Sequence, residues 1–183
     1  MLQLAENEAL YVNDKWVAKR GKAPFKKLNS AETEVLFIDE IWHIFQQNGK
    51  AIQTDFHLLT ADKKSVKPSN TNQIIGEHPV FIEKGATVEC AILNSKSGPI
   101  YIGKNAEVME GSIIRGPFAL GEESVVKMGA KIYGPTTVGP HCKVGGEISN
   151  CVFFAYSNKG HDGFLGNSVV GEWCNFGADT NSS

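Results

Sequence analysis

The run Tyr156-Ser157-Asn158-Lys159-Gly160-His161-Asp162-Gly163-Phe164-Leu165-Gly166 sets an imidazole and an amine close together in a glycine-rich stretch. An imidazole titrates near neutral pH, so His161 is suited to take a proton from an attacking nucleophile. In a turn of this composition it also reads as a solvated histidine with no chemical role. Lys159 reads as a ligand for an anionic group or as a solvated loop lysine. Asn175, fourteen residues beyond His161, offers a carboxamide that both donates and accepts. It reads as a substrate contact or as a surface corner asparagine.

The scaffold for these side chains is written in the chain before them. Aliphatic residues fall on every sixth position at Ile102, Val108, Ile114, Leu120, Val126, Ile132, Val138 and Val144. A helical face repeats at three to four residues and a strand face at two, so this period asks for short strands joined by turns. Hexads of this kind predict a mainly β protein, a parallel β-helix with three hexads per coil. Residues eighteen apart then stack in columns: Ile102, Leu120 and Val138; Val108, Val126 and Val144; Ile114 and Ile132.

Four residues after each aliphatic comes a second inward position, filled by Ala106, Ser112, Ser124, Ala130, Thr136 and Cys142, with Phe118 the bulky exception. A narrow prism packed to crystal density requires small groups there. Gly103, Gly121, Gly139 and Gly145 follow an aliphatic and are predicted to turn corners at positive φ. Ile102 stands fourteen residues after Val88, two more than two hexads need, and Asn94 to Gly98 is expected to bulge. After Val144 the period breaks, with Asn150 where an aliphatic is due. It resumes at Phe153, Lys159, Leu165, Val170 and Phe176. Interrupted scaffolds are where sites are expected, and His161 lies in that coil.

The 183 residues carry a net charge of −2, which gives no field for nucleic acid or an anionic membrane. No apolar run approaches the ~18 residues of a membrane span, and the start MLQLAENEAL lacks a basic segment followed by an apolar one, so a cytoplasmic protein is expected. Cys90, Cys142, Cys151 and Cys174 show no CxxC spacing, and Cys142 and Cys174, in the small inward slot of their hexads, read as buried reduced thiols. His43, His57, His78, His141 and His161 include no two within ten residues of each other, so a zinc hydratase is disfavoured and no metal is predicted.

Residues 1–72 lack the period and read as a separate small α+β segment, with residues 73–183 as the β-helix. Strands are predicted at Ala9 to Val12 and Trp16 to Val17 with Asn13-Asp14 as their turn. A helix is predicted from an Asp39 cap through Ile41, Trp42 and Phe45, stopped by Asn48-Gly49, followed by a turn or two with Ile52, Phe56 and Leu59 on one face. Ala61 to Asn72 reads as linker.

The stretch SNKGHDGFLGNSVVGEWCNFGADTN resembles the active-site coils of the hexapeptide acetyltransferase domain of the bifunctional N-acetylglucosamine-1-phosphate uridyltransferase and glucosamine-1-phosphate acetyltransferase. The shared features are Gly160-His161, Leu165-Gly166, Gly171, Asn175 and Gly177-Ala178-Asp179-Thr180. Residues 74–183 also resemble a branch of sugar-nucleotide transferases with a degenerate nucleotidyltransferase domain before the coils. The resemblance implies a left-handed β-helix and a homotrimer with sites between neighbours. It implies acetyl-CoA as acyl donor and a sugar phosphate or nucleotide sugar as acceptor. In that family the histidine is the general base, which would be His161; Asn175 would hydrogen-bond the substrate, and Lys159 would take its anion. Three residues depart from the pattern: Phe164 stands for a tyrosine, Ile148-Ser149-Asn150 replaces a strand with phosphate-binding lysines, and Asp179 replaces a glycine. Residues 1–75 hold no glycine-rich phosphate loop and resemble only the tail of a nucleotidyltransferase. The last hexad, Gly177 to Ser183, ends without a cap. It predicts a cut within the coils, with the acetyl-CoA site mostly beyond residue 183 and acyl transfer absent from this length of chain. The competing reading is a non-catalytic trimerisation or effector-binding β-helix attached to a sugar-1-phosphate nucleotidyltransferase.

Overall fold

The computed structural model describes residues 5–12, 15–24, 26–29 and 36–183. Its contacts divide the chain into two compact units, Met1–Phe37 and Ile38–Ser183. In the first, strand Glu8–Val12 lies between an antiparallel partner, Lys15–Arg20, and a parallel one, Lys26–Asn29. Ala9 and Val12 point to its buried side. The strands expected near residues 9 and 16 are thus present and longer; the Asn13-Asp14 turn lies outside the described residues.

The second unit is a parallel β-helix of very short strands. The first face stacks Gln73–Ile75, Ile92–Asn94, Ile113–Arg115, Lys131–Tyr133, Glu147–Ser149 and Phe164–Gly166. The second stacks Val80–Ile82, Ile100–Ile102, Phe118–Leu120, Thr136–Val138, Val152–Phe153 and Val169–Val170. The third stacks Thr87–Val88, Glu107–Val108, Val125–Val126, Lys143–Val144 and Asn158–Lys159. Ile102 pairs with Leu120 and Leu120 with Val138, Val108 with Val126 and Val126 with Val144, Ile114 with Ile132, so the columns are those of the hexad. All eight aliphatic residues of the strict series are buried, and so are Ala106, Ser112, Phe118, Ser124, Ala130, Thr136 and Cys142.

Buried hydroxyls in the small slots cost little because each finds a neighbouring carbonyl. Ser112 Oγ donates to Lys127 O at 3.0 Å, Ser124 Oγ to Gly139 O at 2.7 Å and Ser157 Oγ to Gly171 O at 2.7 Å. Two of them also accept from the coil above: Cys142 N–H reaches Ser124 Oγ and Cys174 N–H reaches Ser157 Oγ, each at 2.9 Å.

The glycines after the aliphatics do a different task from the one predicted. Gly103, Gly121, Gly139 and Gly145 are not at positive φ. They let one corner pass against the next: a Cβ on Gly121 would meet Gly139 C at 2.6 Å, and one on Gly145 would meet Gly160 O at 2.7 Å. The left-handed corner positions belong instead to Asn105, Glu123, His141, Tyr156 and Trp173. The last three rings stack, with centroids 4.9 and 4.6 Å apart and planes within 6°. Ring stacking of this kind offsets the ~1 kcal/mol or more that a side chain loses at such a φ.

The helix also departs from expectation. It runs unbroken over His43–Thr60, straight through Asn48-Gly49, and no side chain caps it at Trp42. Asn48, Ile52 and Phe56 are its buried residues. Asn48 Oδ1 accepts from Thr137 Oγ1 at 2.7 Å, and Gly49 lies against Pro135. Packing on the second face therefore overrides the local stop signal. Ile41 and Trp42, taken from spacing as part of the apolar face, are exposed.

Residues 61–72 have no regular structure but cover the first coil edge. Val66 N–H donates to Ile82 O at 2.8 Å, Ser65 Oγ accepts from Ile82 N–H at 2.9 Å, and Asn72 Nδ2 donates to Val88 O at 2.6 Å. An open edge recruits other chains, and this segment closes it. The bulge is where it was expected. Five residues, 95–99, separate Ile92–Asn94 from Ile100–Ile102, while two separate the strands of the next coil at Gly116-Pro117.

Among the described residues, no helix is long and apolar enough to cross a membrane. Cys142 and Cys151 are buried thiols, whereas Cys174 is half-buried and Cys90 is exposed. Cys90 leaves the core because it stands at a corner with φ of 52°.

Candidate functional site

The broken period has a simple structural origin. In the corners between the third and first faces, residues 109–112, 127–130 and 160–163 each place four residues between strands. The corner after Val144 has only Gly145 and Gly146. Lys131 consequently pairs with Glu147, sixteen residues on, and one more residue is lost between Ser149 and Val152, so that Val144 pairs with Lys159, fifteen residues on, where Val126 pairs with Val144 eighteen residues on. The short corner leaves a notch in the edge of the prism.

The notch exists because both of its residues are glycine. Gly146 has φ of +72°, and a Cβ there would meet Gly163 O at 2.7 Å and His161 O at 2.9 Å. The longer corner 160–163 therefore folds down onto the short one, with the backbone of His161 against Gly146.

A cleft of about 220 Å³ opens at this edge, lined by Lys127, Lys143, Asn158, Gly160, His161, Asn175 and Phe176. His161 and Asn175, singled out separately from the sequence, thus share one cleft. Lys143, Asn158 and Asn175 form an outward column on the third face, through the pairing of Lys143 with Asn158 and the bridge of Asn158 to Asn175. Lys127 and Lys143 cross over the glycine corners, with Lys127 Cβ 3.1 Å from where a Gly145 Cβ would be. The cleft therefore gathers two amines, two carboxamides and one imidazole. The amines suit an anionic group, the carboxamides suit hydroxyls or amides, and the imidazole suits a proton.

Lys159 is not where an anion ligand must be. Its side chain is 0% exposed, and its Nζ donates to His161 O at 2.6 Å, Asp162 O at 3.3 Å and Gly145 O at 3.4 Å. A substrate phosphate cannot reach it, and it is no solvated loop lysine either. Burial pushes its pKa down, and Asp162 and Asp179 partly restore it. The amines that line the cleft are those of Lys127 and Lys143. Hydropathy pattern alone misses them; counting one residue back from the inward Val144 places Lys143 outward on the strand face that also carries Asn158.

Phe164 and Ser149 lie on the first face, paired with Glu147 and Gly166 respectively, and neither lines the cleft. Asp179 sits at a corner with φ of 64°, its N–H donating to Asp162 O at 3.0 Å. A larger hollow of about 340 Å³ on the first face is lined by Ile92, Ile113, Tyr133 and neighbours including Arg115 and Lys131. It holds two cations and a phenol but no imidazole, thiol or carboxylate. Among the described residues, no group of three or more His, Cys, Asp or Glu side chains could hold a metal ion.

A family model described as sugar nucleotidyl transferase matches residues 1–64. This likeness covers the leading unit and the whole of the helix, and it supports the resemblance to nucleotidyltransferases drawn from sequence. No curated protein and no solved structure matches the chain.

Proposed function

We propose that this chain belongs to a sugar-nucleotide transferase whose coils carry an acyltransfer site, with an amino-sugar phosphate or nucleotide sugar as acceptor and acetyl-CoA as donor. The observation that carries this reading is the convergence of His161, Asn158, Asn175, Lys127 and Lys143 on one cleft beside the short Gly145-Gly146 corner. The two amines hold the acceptor's phosphate. The carboxamides of Asn158 and Asn175 orient its ring hydroxyls. His161 takes the proton from the amine as the amine nitrogen attacks the thioester carbonyl, a role a group titrating near operating pH fills best. The N–C bond forms, the C–S bond breaks, and coenzyme A leaves as a thiolate that takes up a proton. Acetyl-CoA supplies the activated acetyl group, and the open side of the notch leaves His161 accessible to it. The likeness of residues 1–64 to sugar nucleotidyl transferases supports the sugar-nucleotide class of acceptor.

Replacing both amines, Lys127→Gln with Lys143→Gln, is expected to weaken binding of glucosamine 1-phosphate by about tenfold to a hundredfold, as the loss of charge-assisted contacts to a phosphate implies. Calorimetry at two salt concentrations checks it. Wild-type affinity must fall with salt while that of the double variant barely moves; equal affinity in both proteins would remove the phosphate from this cleft.

A homotrimer is the expected assembly. The first face is flat and exposes Ile74, Ile113 and Tyr133, an apolar surface that association would cover. Light scattering in dilute buffer checks this, and a monodisperse monomer would remove a site shared between neighbours. A non-catalytic trimerisation platform accounts for that face but leaves the basic, imidazole-bearing cleft without a purpose. A platform has no reason to gain thermal stability from acetyl-CoA.

A further inference from the structure

The column Val108, Val126, Val144, Lys159 on the third face is aliphatic at every level but one. An aliphatic side chain at residue 159 would continue the stack, and burying an ammonium in its place costs several kcal/mol before compensation. The compensation is specific. The amine meets three carbonyls, those of His161, Asp162 and Gly145. Two belong to the corner that carries His161, and the third belongs to the short corner that makes the notch. No apolar residue could join these two corners.

Resting on the acyltransfer reading above, we infer that Lys159 is a positioning residue, an internal cation that ties corner 160–163 to corner 145–146 and so fixes His161 over the cleft. The corner needs such a tie. Gly160 and Gly163 flank it, and glycine gives up the most conformational freedom when a loop is fixed. His161 and Asp162 are both exposed, so side-chain packing does not hold them. Asp162 and Asp179 lie close enough to act on the Lys159 charge, and Asp179 N–H holds Asp162 O from the other side at 3.0 Å. The geometry thus places the strongest polar anchor of this coil directly behind the proposed base.

The decisive variant is Lys159→Met, which keeps the length and apolar stem of the side chain and removes the donor. A positioning role predicts a melting temperature within a few degrees of the wild type, because relief from a buried charge is offset by three carbonyls that lose their donor. It predicts inorganic phosphate binding within about threefold of wild type, through Lys127 and Lys143. It predicts at least tenfold faster amide exchange over residues 160–163, and at least tenfold slower His161-dependent turnover with little change in donor KM. Wild-type protection and turnover in the variant would overturn the inference. So would a fall in melting temperature that accounts for the loss, with turnover fully regained at a temperature where the variant is folded. Should Lys159→Met not fold, the wild type decides: its Lys159 ammonium protons must exchange slowly with solvent in ¹⁵N spectra, and fast exchange refutes the anchor. Absence of acyl transfer in the wild-type full-length protein would sink the acyltransfer reading alone, since corner exchange still tests the tie.

Discussion

Val126→Asp is expected to abolish cooperative folding of the coils. Val126 is fully buried in the column between Val108 and Val144, and its nearest inward companion in the same hexad, Ala130, offers no side-chain donor. A carboxylate there would be desolvated with no partner, and an unpaired polar group costs roughly 2–7 kcal/mol even when neutral. Native domains are stable by only about 5–15 kcal/mol, so most of the margin is lost. A solenoid transmits stability from coil to coil, and a fault in the middle separates the two halves. Circular dichroism through a thermal ramp checks this. A soluble variant with an unchanged melting temperature would mean that Val126 does not face inward.

The prism was legible because its core has a period no helix or ordinary strand shares, and because one inward position in each hexad takes a large residue and the other a small one. The notch was legible as a break after Val144, though its cause was not. Asn150 stands where the hexad asks for an aliphatic, whereas Ile148 fills the inward place two residues early, after the Gly145-Gly146 corner. Lys159 was visible in the inward series, yet its charge argued for solvent. Three backbone carbonyls reverse that argument, and backbone carbonyls leave no trace in sequence. The glycine corners misled in a related way. Close approach between stacked chains selects Gly103, Gly121, Gly139 and Gly145, while the left-handed corners tolerate Asn105 and a stack of rings. The helix stop at Asn48-Gly49 failed because a buried hydrogen bond to Thr137, far away in the chain, outweighs local propensity.

His161→Ala, assayed in the full-length protein, is expected to lower acyl transfer by about 10²- to 10⁴-fold, the range for removing a general base. Acceptor and donor affinities should stay near wild type, because Lys127, Lys143, Asn158 and Asn175 remain to hold the acceptor. The loss would then fall on kcat with KM little changed, as when a group acts only in the transition state. Among the described residues, none hydrogen-bonds to the His161 ring, so its removal disturbs no internal network and the melting temperature should hold. A variant that keeps its turnover would remove His161 from the chemistry.

The most direct measurement of the whole account is a titration of glucosamine 1-phosphate into the isotopically labelled chain, followed at the His161 ring and the side-chain amides of Asn158 and Asn175. All three signals are expected to move together and saturably, and Lys127→Gln with Lys143→Gln is expected to abolish the response at the same ligand concentrations. Signals that stay still at millimolar ligand, or shifts confined to the first face while His161 is unmoved, would contradict it.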